Sequence, residues 1–298
     1  MIERFLLHPD CLRCIVSPVA HRLTLAPSVN PQASMKLLVV PDIHENLEFL
    51  KYIFAYEDTD SFDHVVLLGY YFDPSGVVNP CEQRLQQVAG TLLGLKELLG
   101  ERLHMLCGNH DLPYYALRPA CGERHGEPNT TIGQWLGNTT LERAEIINEL
   151  WDEAFWKSLK GAVLLDGWLF SHAGVHPDWW PEDLDSTERR YRWLQDQWTQ
   201  AFANIYQEEE SPIFGAGLAR GGLLRFGGPL WQDWNQEFED VLEVAQIVGH
   251  TRCVKQTQKG RSSCIDLAQS AYAIVENGEV QLNICPKSWL GESMLDSV

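Results

Sequence analysis

Apolar residues in this chain fall into short solid runs, with longer stretches of helical spacing between them. Residues 37–40 and 65–68 are apolar runs of strand length, 103–107 is one but for His104, and all three read as buried strands. After the first, Asn46 caps a helix whose apolar face includes Leu47, Leu50, Ile53 and Phe54. After the second, Val88, Leu92, Leu95 and Leu99 mark a helix over 82–99, which Gly100 ends. Strand, helix, strand, helix, strand predicts parallel βαβ units, and such sheets gather ligands at the carboxyl ends of their strands.

Past residue 111 the pattern loosens. Pro113, Pro119 and Pro128, with several glycines, predict a loop-rich insertion over 112–140, followed by a helix over 141–159. Strands at 162–166 and 168–171 flank a glycine turn, and an amphipathic helix spans 188–206. Residues 215–228 are glycine-rich and carry Arg220 and Arg225. Strands at 246–248, 263–267, 271–275 and 280–284 follow, and Asn277-Gly278 makes the last two a hairpin. Residues 1–34 form an extension in which 15–19 and 23–26 have strand character, interrupted by Pro18, Pro27 and Pro31. It reads as an edge hairpin or an arm. The rest, 35–298, reads as one domain with insertions at about 112–160 and 178–245.

The 298 residues, 45% hydrophobic, are enough to bury a sizeable core. A net charge of −18 repels phosphate backbones and anionic lipid, which argues against nucleic-acid and membrane partners. Of eight cysteines only Cys11 and Cys14 form a C-x-x-C pair, too few for a zinc ribbon, so the thiols read as reduced. No apolar run has the length of a membrane span and no signal-peptide pattern opens the chain, so the expected compartment is the cytoplasm.

The chemistry lies where the strands end. The first run leads into Pro41-Asp42-Ile43-His44, the second into Gly69-Tyr70-Tyr71-Phe72-Asp73, and the third into Gly108-Asn109-His110-Asp111. Ser171-His172-Ala173-Gly174 and Gly249-His250-Thr251 end two later strands. Alternate residues leaving a strand point the same way, so Asp42 and His44 can address one metal ion. His64, His104 and His125 match no such pattern and read as structural. Asp111 reads as a local cap or local hydrogen-bond acceptor, and His176, followed by Pro177, as pocket lining at most.

In motif order, over about 35–285, this set resembles the calcineurin-like metallophosphoesterases, which read D-x-H, G-D-x-x-D, G-N-H-D/E, a lone His and G-H. The resemblance implies an α/β fold of two packed mixed β-sheets flanked by helices. It implies two divalent metal ions, manganese first, with iron, zinc or nickel as alternatives. By position Asp42 and His44 belong to one metal, and Asn109, His172 and His250 to the other. His110 is then the acid for the leaving alkoxide, and Asp73 holds its imidazolium. Arg252 stands where some members have a second His in G-H-x-H, which moves the chain toward the branch resembling serine/threonine phosphatases and dinucleoside tetraphosphatases. The segments Ala219-Arg220-Gly221-Gly222 and Gly228-Pro229-Leu230-Trp231 resemble part of the bacterial metallophosphatases. Arg220 and Arg225 are candidate phosphate clamps, because a guanidinium binds phosphate through two parallel hydrogen bonds.

One position departs from the family. Tyr70 stands where the family has the aspartate that bridges the two metals. A phenol offers one oxygen and is neutral near pH 7, so a single metal and weakened activity are expected. Two readings stand. One is a metal-dependent phosphoesterase acting on a phosphomonoester or nucleotide-like substrate, small molecule or phosphoprotein. The other is a non-catalytic relative that binds a phosphorylated ligand or a protein partner.

Overall fold

The computed structural model describes residues 34–74, 81–118, 139–205 and 211–286. Two five-stranded mixed sheets face each other. The first contains β1 (Leu37–Val40), β2 (His64–Leu67), β3 (Leu103–Met105), β9 (Ala271–Glu276) and β10 (Glu279–Ile284), in the order β10-β9-β1-β2-β3. The second contains β4 (Ala162–Leu165), β5 (Trp168–Ser171), β6 (Ala245–Val248), β7 (Thr257–Lys259) and β8 (Ser262–Cys264), in the order β4-β5-β6-β8-β7. β1, β2 and β3 run parallel, as do β5, β6 and β8, while the flanking strands are antiparallel.

The solid apolar run of β1 follows from this arrangement. Leu37 and Val39 enter the layer between the sheets, with Val66, Leu106, Phe170, Ile247 and Val275. Leu38 and Val40 face the helices, against Phe49, Leu50 and Leu92. A strand buried on both faces has no polar side to alternate with.

Two helices follow β1 and β2. α1 (Leu47–Tyr56) is capped by Asn46, whose side chain accepts the Phe49 N–H at 3.0 Å. It buries Phe49, Leu50, Tyr52 and Ile53, so its inner stripe is rotated from the expected one and leaves Leu47 and Phe54 only partly covered. α2 (Glu82–Leu99) ends as expected at Gly100, with φ 56°. The insertion contributes α3 (Leu112–Ala116), and the helix expected over 141–159 is two helices, α4 (Leu141–Leu150) and α5 (Glu153–Ser158). The break has a local cause. Trp151 turns inward and donates its indole N–H to Ala89 O at 3.1 Å, while Asp152 caps α5 by accepting the Phe155 N–H at 2.7 Å. α6 (Thr187–Ala203) packs on the second sheet, its Trp198 donating to Leu159 O at 3.0 Å.

Both expected tight turns are present: Asp166-Gly167 and Asn277-Gly278 all have positive φ, as two-residue hairpin turns require. Cys107, Cys264 and Cys285 are buried and unpaired, while Cys11, Cys14, His125 and the strands expected at 15–19 and 23–26 lie outside the described residues. Among the described residues no helix is long and apolar enough to cross a membrane.

Candidate active site

The loops leaving β1, β2 and β3 are tied together by their backbones. His44 and Ile43 donate their N–H groups to Tyr70 O at 2.8 and 3.2 Å, and Glu45 donates to Tyr71 O at 3.0 Å. Asp111 joins the second loop to the third, with its carboxylate accepting the N–H of Tyr70, Tyr71 and Gly108, each at 2.7 Å. The bond to Gly108 is the local one expected of it, the bonds to Tyr70 and Tyr71 are long-range, and its side chain caps no helix. Burial pushes its pKa up to about 7, and the N–H donors oppose that rise. The motif glycines permit the close approach: a Cβ on Gly108 would stand 2.6 Å from Tyr70 N and 3.0 Å from His172 Cε1. His44, Glu45, Tyr70, Asp73 and His250 all have φ between 51° and 64°, left-handed backbone that non-glycine residues rarely adopt outside constrained sites.

Asp42, His44, Asn109, His172 and His250 come together across the two sheets. Buried Asp42 accepts the His250 N–H at 3.0 Å, and Gly249 N–H donates to His172 O at 2.8 Å. The rings of His172 and His250 meet edge to face, 5.0 Å apart. His172 Nδ1 lies 2.9 Å from Leu68 O, and its Nε2 lies 2.9 Å from Asn109 Oδ1. His44 Nδ1 lies 2.9 Å from Asp73 O, leaving Nε2 to face Asp42 Oδ2 at 4.0 Å. Burial drives these imidazoles toward the neutral form, His44 to about 4, His172 to about 3 and His250 well below its ordinary value. Burial also pushes the Asp42 carboxyl well up, with Asp266 nearby adding to the rise.

His110 stands slightly apart. Its Nδ1 lies 2.7 Å from Asp73 Oδ2, and its side chain is 22% exposed, so the ring is anchored at one end and open to a substrate at the other. Tyr70 fills the space between the groups: its ring lies 3.7 Å from that of His44, 4.3 Å from His110 and 6.0 Å from His172. Burial holds the Tyr70 phenol far above its ordinary pKa, with Asp42 and Asp73 contributing, so it is neutral in the metal-free site.

The two arginines part company. Arg220 pairs with Asp233 at 2.8 Å and donates to Thr251 Oγ1 at 2.7 Å, beside the His250 loop. Arg225 lies over the Phe226 ring at 4.9 Å, and Phe226 stacks on His176 at 3.8 Å. Sequence reasoning missed Glu45, Tyr114 and Arg143, all buried and all linked to Asp73. It also missed Trp231, whose ring lies 5.8 Å from His250 and 6.4 Å from His110. The Gly228-Pro229-Leu230-Trp231 segment was the available signal for Trp231; nothing local marks Arg143.

The donor set can be tested against a metal. Among the described residues both ring nitrogens of His250 are buried without a hydrogen-bond partner, as a ligand's would be before the ion arrives. A neutral His172 that donates from Nδ1 to Leu68 O turns a lone pair toward the Asn109 oxygen. Two acceptors 2.9 Å apart call for a cation between them or for Asn109 turned end for end. Asn109, His172 and His250 therefore fit one ion. The bridged pair does not fit. A bulky neutral phenol replaces the bridging carboxylate, and among the described residues no three His, Cys, Asp or Glu side chains converge to hold an ion by themselves.

Comparison with solved structures shows the same sandwich elsewhere. The cold-active protein-tyrosine phosphatase of a psychrophilic Shewanella superposes with a TM-score of 0.54 at 19% identity, covering 84% of this chain and 78% of that one. A further structure of a cold-active protein tyrosine phosphatase gives 0.52 at 20% identity, covering 84% and 76%. No curated protein matches the chain by sequence. The profile for calcineurin-like phosphoesterases matches residues 35–253, from just before β1 to just beyond His250. The strand-end residues from Asp42 to His250 all lie within that span, and the chain belongs to the calcineurin-like phosphoesterases.

Proposed function

We propose that this protein is a metal-dependent phosphoesterase, weakened by Tyr70, that acts in the cytoplasm on a phosphomonoester or nucleotide-like substrate, whether small molecule or phosphoprotein. The observation that carries this reading is the His110–Asp73 pair, at 2.7 Å and open on one side, next to the Asn109–His172–His250 group. Asn109, His172 and His250 would hold one divalent ion, manganese first, with Asp42 and His44 as a second, weaker pair. A bound ion would supply charge neutralisation and an activated water. His110 delivers the proton to the leaving alkoxide, and Asp73 stabilises the imidazolium that does so. Arg220, beside the His250 loop, would meet a phosphoryl oxygen once substrate draws it from Asp233. Trp231, near the rings of His250 and His110, would limit water there.

A second reading has its own support. The Tyr70 ring occupies the ground between His44, His110 and His172, which favours a non-catalytic relative that binds a phosphorylated ligand or a partner. Elemental analysis and hydrolysis of an aryl phosphate with Mn²⁺ separate the two. About one metal per chain with slow, metal-dependent turnover supports the first reading. Metal-independent silence toward aryl, alkyl and nucleotide esters supports the second.

A further inference from the structure

Behind His110 and Asp73 lies a buried polar group drawn from the β1 loop, α3 and α4. Tyr114 donates its hydroxyl to Asp73 Oδ1 at 2.5 Å, on the oxygen that His110 does not use. Arg143 donates from Nε to the Tyr114 oxygen at 3.1 Å and pairs through its terminal nitrogen with Glu45. Glu45 in turn accepts the Asp73 N–H at 3.1 Å. The side chains of Arg143 and Glu45 are 5% and 1% exposed.

The direction of these bonds matters. Burial, with Asp73 adjacent, pushes the Tyr114 phenol far above its ordinary pKa, so it is always a donor. The Arg143 N–H occupies the phenol's lone pair, and the Tyr114 proton is left to Asp73. A carboxylate held at only one oxygen can swing about its last torsion, because that torsion is broad. Held at both oxygens, and at its backbone N–H by Glu45, Asp73 keeps Oδ2 aimed at His110 Nδ1. Asp73 also sits at φ 64°, where an unsupported residue would relax.

We infer that Tyr114 and Arg143 are positioning residues for the general acid, acting through Asp73 to fix the imidazole of His110 toward the leaving-group oxygen. The inference rests on the phosphoesterase reading. A purely structural group, tying α4 to the strand-end loop, would lower all rates alike or none. A positioning group affects proton delivery, which matters more as the leaving group becomes poorer.

The test is Tyr114→Phe, assayed with Mn²⁺ on nitrophenyl, phenyl and alkyl phosphates. The expected result is little change in kcat for the nitrophenyl ester. For the alkyl ester kcat should fall by about 10- to 100-fold, a part of the roughly 10²–10⁴-fold a general acid contributes. KM and metal content should not change. A paired variant, Arg143→Met with Glu45→Gln, removes both buried charges together and should show the same dependence on leaving group. Proton NMR supplies a readout independent of turnover: the His110 Nδ1–H signal, sheltered in the unmodified protein, should broaden in Tyr114→Phe. An equal loss on all three esters, or an unmoved NMR signal, overturns the positioning role while the phosphoesterase reading stands. Failure of the unmodified protein to hydrolyse any of the three esters overturns the phosphoesterase reading, and the positioning role falls with it.

Discussion

At the scale of single residues, Tyr70 is where the strand-end motifs depart from the family pattern. Its backbone is in left-handed conformation, which aspartate tolerates far better than a bulky aromatic residue, so nothing in the loop resists the family's residue there. Tyr70→Asp should raise metal content toward two per chain and increase aryl phosphate turnover by about 10- to 100-fold, the scale on which partners of a metal act. The same change puts a carboxylate near Asp42 and Asp111, which already raise the pKa of Tyr70 by their charge. In chelator the variant should therefore melt below the unmodified protein, and with Mn²⁺ above it. If the unmodified chain already holds two ions and turns over as fast, phenolate is a competent ligand and the substitution is not a handicap. Tyr70 itself was legible in the sequence, because the motifs on either side of it are intact. Only the local bond of Asp111, to Gly108, was legible; its other donors, Tyr70 and Tyr71, are about 40 residues away in the chain.

At the scale of elements, the strands that carry the motifs were readable, while β7 and the break in the insertion's helix were not. β1 is a short apolar run buried on both faces, β2 and β3 are apolar but for His64 and His104, and each run leads into a proline or glycine, a pattern that survives without knowledge of neighbours. The apolar spacing of 141–159, in contrast, continues through Trp151, so only the tertiary pull of Ala89 O and the cap by Asp152 reveal the break. Arg143 was invisible for a similar reason. It is one charged residue among several on α4, and its partner Glu45 is 98 residues away. Asp111 holds two strand ends together, so Asp111→Ala leaves three buried N–H groups unpaired and should cost about 3 kcal/mol or more in chemical denaturation. A loss below about 0.5 kcal/mol would mean that water replaces the carboxylate at no cost. At the other end of β3, His104 lies beside His64 of β2, Lys160 and Lys96 of α2, and burial lowers its pKa from 6.5 to about 4. The unfolded chain binds a proton there below pH 6.5 and the folded one does not until about pH 4. Stability is therefore full above 6.5 and falls as the pH drops through that window. His104→Gln should flatten the decline in melting temperature between pH 7.5 and 5. Parallel declines in the two proteins would exonerate this histidine.

At the scale of the molecule, the two mixed sheets follow from the motif order, since ligand types at five strand ends need both sheets to face one another before they can meet. Substrate choice was not legible, because no motif in the sequence marks a particular substrate. The seam between the sheets runs through the candidate metal ligands: Asn109 leaves β3 of the first sheet, while His172 and His250 leave β5 and β6 of the second. An ion taken by these three is a rivet between two plates, and its bonds must break before the plates separate. An ion that binds only the folded chain at 100 times its Kd adds about 2.7 kcal/mol to stability. Mn²⁺ should thus raise the melting temperature whether or not the protein turns over an ester, and His250→Ala should abolish the rise. An unmodified protein that melts at one temperature with and without Mn²⁺ has no rivet. Where the rivet holds, the force needed to part the sheets becomes a direct gauge of metal occupancy.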